Sequence, residues 1–249
     1  MSGAFKDHFS GHAADYASFR PDYPPALFAW LATLTPGHEI ALDCATGNGQ
    51  AAIGLTAHYR LVVASDASAR QVSNHRVHER IFYLVAPAER SPLKNASCDL
   101  LTVAQAAHWF DHERFNADAR RVVKSGGAVV VWTYDRVETA AHIDPIIDHF
   151  YRDVVGSYWP PERRWVEDQY RSLPFAFEEI ATPPMWLEMR WTLEQYLGYV
   201  GTWSAVQRYR KAQGSDPLPA LRSDLARAWG VAEEARLMRW PLCMRAGRV

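Results

Sequence analysis

Five short runs in the first half of the chain are apolar along almost their whole length. They are Ile40 to Cys44, Leu61 to Asp66, Ile81 to Val85, Asp99 to Ala104 and Ala128 to Trp132, and segments of helical character lie between most of them. A strand that packs on one face only alternates apolar and polar residues. One that is apolar throughout is buried on both faces, which predicts a parallel sheet with helices on either side. In such sheets ligands sit beyond the carboxyl ends of the strands, close to the switch in strand order. Asp43, Asp66, Ala88 and Gln105 all fall at or just past such ends.

The first two runs enclose the most informative turn. Ile40-Ala-Leu-Asp-Cys-Ala-Thr-Gly-Asn-Gly-Gln50 reads as a strand running into a bend of small residues, and a helix begins at about Gly49 or Gln50. Gly47 and Gly49 can take positive φ and let a ligand approach the main chain. The helix start offers unpaired N–H groups to whatever occupies the bend. Asp66, ~20 residues further on, is placed to accept hydrogen bonds from a ribose diol. The stretch therefore predicts a nucleoside site, belonging either to NAD or to S-adenosylmethionine. Gly47-x-Gly49-x-x-Ala52 satisfies the dinucleotide pattern, which is a weak signal alone. Asp43 argues against a diphosphate beside it, because two like charges ~6 Å apart at an effective dielectric of ~20 repel by roughly 3 kcal/mol. S-adenosylmethionine brings an ammonium and a sulfonium, both attracted to a carboxylate. The plainer role for Asp43 is to cap the loop by bonding nearby N–H groups.

The segment Leu42-Asp43-Cys44-Ala45-Thr46-Gly47-Asn48-Gly49 resembles the first motif of class I S-adenosylmethionine-dependent methyltransferases, in the branch similar to trans-aconitate methyltransferases and the type 11 group. Ala45 stands where that motif usually has its first glycine, and its methyl narrows the expected cleft. The resemblance spans nearly the whole chain. It implies an α/β Rossmann-like methyltransferase fold, with a central, mostly parallel seven-stranded sheet, an antiparallel last strand and a helical C-terminal insertion. It also implies cofactor contacts from Asp43, Ala45, Gly47, Gly49 and Asp66, and from Ala88 and Glu89 on the adenine side. Gln105 opens the loop after the fourth strand and is a further cofactor-side candidate. A leader with Tyr16 followed by Arg20-Pro21-Asp22-Tyr23-Pro24 resembles the family's lid over the methionine end, which makes Tyr16 and Arg20 candidate contacts.

The expected organisation is a single domain: a helical leader over 1–36, a cofactor core over 37–134, a mainly helical acceptor-side insertion over 135–230, and a last strand over 231–249. Expected helices include 26–34, 113–123, 142–158, 193–210 and 219–229. Further strands are expected at 177–180, 185–191 and 236–244. Lys124-Ser125-Gly126-Gly127 reads as a left-handed helix cap. A net charge of -1 leaves no electrostatic footprint for a nucleic-acid backbone. No apolar run approaches the ~18 residues of a membrane span. Three cysteines without a C-x-x-C pair suggest reduced thiols, and a cytoplasmic location is the default expectation.

Methyl transfer from a sulfonium is an in-line displacement, so alignment and exclusion of water supply much of the rate. A general base is needed only for a hydroxyl, amine or carbon-acid acceptor. His108, in the loop after the fourth strand, is the catalytic candidate, either as a hydrogen-bond donor to an anionic acceptor or as a base; a packing role is equally open. His108 and His112 have helical metal spacing, but no third ligand is evident, so no metal is expected. Arg190, Arg208 and Arg210 are candidate cations for an acidic acceptor, although a basic helical run is more often a solvated face. The expected function is methyl transfer from S-adenosylmethionine to a small molecule, plausibly at a carboxylate oxygen. The alternatives are an NAD-linked oxidoreductase and a non-catalytic S-adenosylmethionine-binding protein.

Overall fold

The structure, a computed structural model, describes residues 21–249. Tyr16 and Arg20 lie outside the described residues. Each apolar run forms a strand: β1 Ile40–Cys44, β2 Leu61–Asp66, β3 Ile81–Val85, β4 Cys98–Ala104 and β5 Val123–Thr133. These five pair in parallel in the order β3-β2-β1-β4-β5. The order turns around at β1, which lies between β2 and β4, and that is where a crevice opens.

Alternate residues of the central strands enter two separate cores, which is why these strands read as apolar throughout. Leu100, Val130 and Trp132 face one core with Leu27 and Leu31 of α1 (Pro25–Thr33) and Leu55 of α2 (Gln50–Leu55). Leu101, Val103, Val129 and Val131 face the other, with Phe115, Ala119 and Val122 of α4 (His112–Val122). Between them comes α3 (Ala69–Ser73), started by Ser68, whose hydroxyl accepts the Gln71 N–H.

The second half adds α5 (Asp144–His149), which continues as a wide turn over Phe150–Val154, and α6 (Arg163–Glu167). Strands β6 (Glu178–Ile180) and β7 (Met185–Trp191) follow, then α7 (Leu193–Gly201), α8 (Ser204–Gln213), α9 (Leu218–Trp229) and β8 (Arg236–Arg248). The sheet has eight strands rather than the expected seven. The extra pairing arises because β8 is longer than expected and serves three partners, with β6 lying along Ala246 to Arg248 on the side away from β5. Its second half pairs antiparallel with β5 from Cys243 to Arg248, and its first half pairs with β7 from Arg236 to Leu242. The expected long helix from Leu193 is two helices, because Trp203 adopts an extended conformation between them and Thr202 turns its hydroxyl back to the Tyr199 carbonyl.

The Gly126-Gly127 pair is a second correction. The helix ends at Val122 and the chain passes straight into β5, so these glycines do not cap it. Gly126 has φ 77° and sits in the irregularity where β5 changes register against β4. At Gly127 a Cβ would lie 2.6 Å from the Asp99 carbonyl oxygen and 2.8 Å from that of Lys124. Backbone cannot step aside as a side chain can. Gly127→Ala is therefore expected to destabilise the protein by about 1–3 kcal/mol, read as a lower urea midpoint.

Candidate active site

Strand register puts Asp43 opposite Thr102 across the β1–β4 pair, with its side chain fully buried. The Thr102 hydroxyl donates to Oδ1 at 2.9 Å, and the Thr46 hydroxyl donates to Oδ2 at 2.5 Å. The Ala52 N–H, in the first turn of α2, adds a further donor. Burial outweighs these bonds and pushes the carboxyl from 3.8 up to about 6, with the Asp66 charge adding to the rise. Both oxygens are thus committed to the loop, in keeping with the capping role, although two of the donors are hydroxyls. What Asp43 offers to a ligand is the field of its charge.

The bend that follows is held from outside. Asp66 accepts the Gly47 N–H at 2.9 Å and the Ser68 N–H at 2.8 Å, which pins the glycine turn to the end of β2. The Thr46 N–H donates to the Ser65 carbonyl across the same gap. The two glycines serve different ends. Gly49 takes φ 90° as the residue before α2, and a Cβ there would meet the Tyr83 hydroxyl at 2.1 Å. Gly47 has φ 59°, and a Cβ there would have nothing within 4 Å, so it faces open space. Glu89 lies past β3 and accepts the Asp111 N–H at 3.1 Å, tying the loop after β3 to the loop after β4, while Ala88 packs beside it. The charges of Asp43, Glu89 and Asp66 all act to raise the Cys44 thiol, which places three carboxylates around this one end of the sheet. Open main chain at Gly47 within an acid-rich rim suits a ligand with a nucleoside and positive charge, and does not suit a diphosphate.

Ala45 shows what the departure from the usual motif costs. Its φ is 55°, in the left-handed region where a Cβ crowds the following carbonyl. The position calls for glycine on backbone grounds.

A second cavity, about 610 Å³ when the open solvent in its mouth is included, lies past the ends of β4 and β5. Gln105, at φ 57°, forms part of its wall. The Gln105 amide donates to the Tyr134 carbonyl and accepts from the Thr133 hydroxyl, bracing the two strand ends together. His108 follows in a single tight turn, Ala107–Trp109, and is buried within the cavity wall. Its Nδ1 is 2.7 Å from the Tyr170 hydroxyl. The Tyr170 oxygen is also approached by the main-chain N–H groups of His108 and Ala107. The Thr133 hydroxyl bonds the same oxygen, which ties His108 to the end of β5 through Tyr170. Burial, then the Arg163 charge, then His112, push the His108 pKa from 6.5 down to about 3.

Sequence reasoning missed the cation of this cavity. Arg163, the first residue of α6, pairs with Asp135 just past β5, and its Nε donates to the Tyr151 hydroxyl at 2.9 Å. Its guanidinium lies 4.4 Å from the Trp159 ring centre. Burial raises the Asp135 pKa while Arg163 opposes the rise, and the partner carboxylate keeps Arg163 charged. The candidates read from the sequence lie elsewhere. Arg210 pairs with Asp216, and neither Arg208 nor Arg190 lines the cavity. Glu162-Arg163-Arg164 reads as a polar surface stretch, and only the Trp159-Pro160-Pro161 before it hints at a wall. Tyr170 was missed for a related reason. It has φ 61° next to Gln169 at φ 58°, a left-handed pair that no residue type there foretells, and Arg245 donates to the Tyr170 carbonyl to hold it.

Residues 42–131 match the sequence profile of a family described as a methyltransferase domain. A Dictyostelium discoideum protein provisionally named a methyltransferase is 28% identical over 229 residues, covering 90% of this chain and 87% of that one. A Saccharomyces cerevisiae protein provisionally named an S-adenosylmethionine-dependent methyltransferase is 26% identical over 135 residues, 51% of this chain and 46% of that one. A solved structure from Anaeromyxobacter dehalogenans, provisionally described as a type II methyltransferase, is 43% identical with a TM-score of 0.87, covering 92% of this chain and 98% of that one. The fold and cleft define a Rossmann-like methyltransferase. With these likenesses, the chain belongs to the class I S-adenosylmethionine-dependent methyltransferases, and the oxidoreductase alternative falls away.

The raised carboxyl and the strained alanine can each be tested by melting. A carboxyl whose folded pKa is raised keeps its full contribution to stability below the unfolded value near 3.8 and loses it as pH rises through about 6. That loss is of order 3 kcal/mol at ~1.4 kcal/mol per unit. Asp43→Asn should therefore melt higher than the wild type at about pH 8, by an amount that shrinks towards about pH 4; a difference independent of pH would refute the assignment. Ala45→Gly relieves a left-handed alanine and should stabilise by up to about 1 kcal/mol, seen in the same melts.

Proposed function

We propose that the protein transfers the methyl of S-adenosylmethionine to a carboxylate oxygen of a small molecule. In this reading Asp66 receives the ribose hydroxyls and the open main chain from Ala45 through Gly49 lies against the methionine portion. Asp43 supplies negative potential beneath it, and Ala88 and Glu89 flank the adenine. Tyr16 and Arg20 are proposed as lid contacts by resemblance alone. S-adenosylmethionine supplies a methyl already activated by a positive sulfur. The chain's own residues have to bring an oxygen into line with it and keep water out.

The observation that carries the acceptor assignment is the lack of a base poised near neutrality among the described residues lining the second cavity. His108 is neutral and, at about 3, too weak a base to take a proton from a phenol or an ammonium. Asp135 is occupied by Arg163. The acceptor must arrive as a nucleophile that has already lost its proton, and a carboxylate does so. In this proposal the neutral His108 carries its proton on Nε2 and acts as a hydrogen-bond donor that orients the acid. Arg163 provides the charge that holds it. Cys44 and Cys98 are free and buried, as suits a reducing compartment, and we place the protein in the cytoplasm.

The test is methyl transfer from labelled S-adenosylmethionine to a panel of organic acids, phenols and amines. Ester products should release labelled methanol in mild base, and kcat should stay level from about pH 7 to 9, since His108 stays neutral across that range. Label retained in base-stable ethers or amines would overturn the carboxylate reading.

A further inference from the structure

The second cavity has a composition that says more about its occupant than the presence of an acid group. Among the described residues lining it, the formal charges are one arginine and one aspartate, and these pair with each other. His108 adds none. Most of the remaining wall is aromatic: Trp109, Tyr134, Trp159, Tyr199 and Trp203. Trp159 and Trp203 lie 5.7 Å apart between ring centres, and Tyr199 stands edge-on to Trp203 at 5.9 Å. These rings pack on one another and are therefore fixed before any ligand arrives.

From this balance we propose that the acceptor is a flat monoacid, an aromatic or conjugated body bearing a single carboxylate, and that polycarboxylates are rejected. The proposal rests on the methyl-transfer reading above and narrows its acceptor class. Arg163 has spent its Nε on Tyr151 and part of its Nη2 on Asp135. One edge of its fork remains, enough for one carboxylate. A second carboxylate would find no further cation among the described lining residues and would face Asp135. A like charge ~5 Å away at an effective dielectric of ~20 lowers affinity by about 100-fold. The body of the acid meets aromatic faces, which favour a flat ring over a saturated one by roughly 2- to 10-fold. The same wall offers an extended polar acid only neutral partners, such as Ser204 and Gln105.

The experiment uses the whole protein in two stages. The first is thermal shift with S-adenosylhomocysteine alone. The second, with that ligand present, measures dissociation constants by tryptophan quenching for four probes: an aromatic monocarboxylate, its primary amide, the saturated-ring monocarboxylate and an acyclic tricarboxylate. The expected order is the aromatic acid tightest, the saturated acid several-fold weaker, and the amide at least ten-fold weaker. The tricarboxylate should be weaker by about 100-fold. Arg163→Gln should abolish the preference for acid over amide while keeping the S-adenosylhomocysteine shift. If the variant does not fold, the wild-type series decides alone. A tricarboxylate that binds as tightly as the aromatic acid, an amide that binds equally well, or no binding by any probe overturns the proposal and leaves methyl transfer standing. A melt unmoved by S-adenosylhomocysteine overturns the methyl-transfer reading itself, and this narrower one with it.

Discussion

A carboxylate held at zero exposure between two strands is the constraint that the rest of the site accommodates. Asp43 cannot be buried there without hydroxyl partners, so Thr102 stands across from it on β4 and Thr46 folds over it from the bend. Folding Thr46 back brings the next residue close to β2, where Asp66 takes the Gly47 N–H. The bend is therefore tight because two acids one strand apart each claim a part of it. A buried ionised group normally weakens a fold. Here the weakness sits beneath an open stretch of main chain, where a cationic ligand regains what burial costs.

The acceptor side is built on different terms. The walls of the second cavity come from the loop after β4 and from the second half of the chain, where the helices are short and the turns between them irregular. Gln105 and Tyr170 both hold left-handed backbone that neither residue type favours, and hydrogen bonds to neighbouring segments fix both. Such strain persists only where the surroundings over-determine it. The packing behind supplies that: Tyr170 and Val166 share a core with Val129 and Val131 of β5. One short helix thus delivers Arg163 at its start, and the turn after it delivers Tyr170. Both reach the cavity from a segment with little regular structure of its own.

This contrast decides what could be read from the sequence. The central strands were legible because burial on both faces leaves an uninterrupted apolar run, although β5 begins earlier than expected, at Val123, and the equally apolar β3 leaves Phe82 and Val85 exposed. Asp43, Gly47, Gly49 and Asp66 were legible because their spacing along the chain maps onto neighbouring strand ends. The Arg163–Asp135 pair was not, since nothing in a sequence marks which arginine in a polar stretch turns inward. Nor was the bonding of Asp43, which depends on strand register more than on composition. The role of β8 was half visible: the alternation in Arg236 to Met244 shows a strand, but not that it continues to Arg248 and joins β5, β6 and β7.

The two sides of the site also differ in charge, and the difference fits the proposed reaction. The bend after β1 is rich in carboxylates, whereas the charges among the described residues of the second cavity pair with each other. A carboxylate loses its charge as it gains a methyl. A largely aromatic wall therefore opposes the free acid more than it opposes the ester forming from it. Arg163 sets a limit on this effect, because a cation that bound the acid too firmly would stabilise the reactant most. Sharing that cation with Asp135 and Tyr151 weakens its hold, so that binding orients the acid without trapping it.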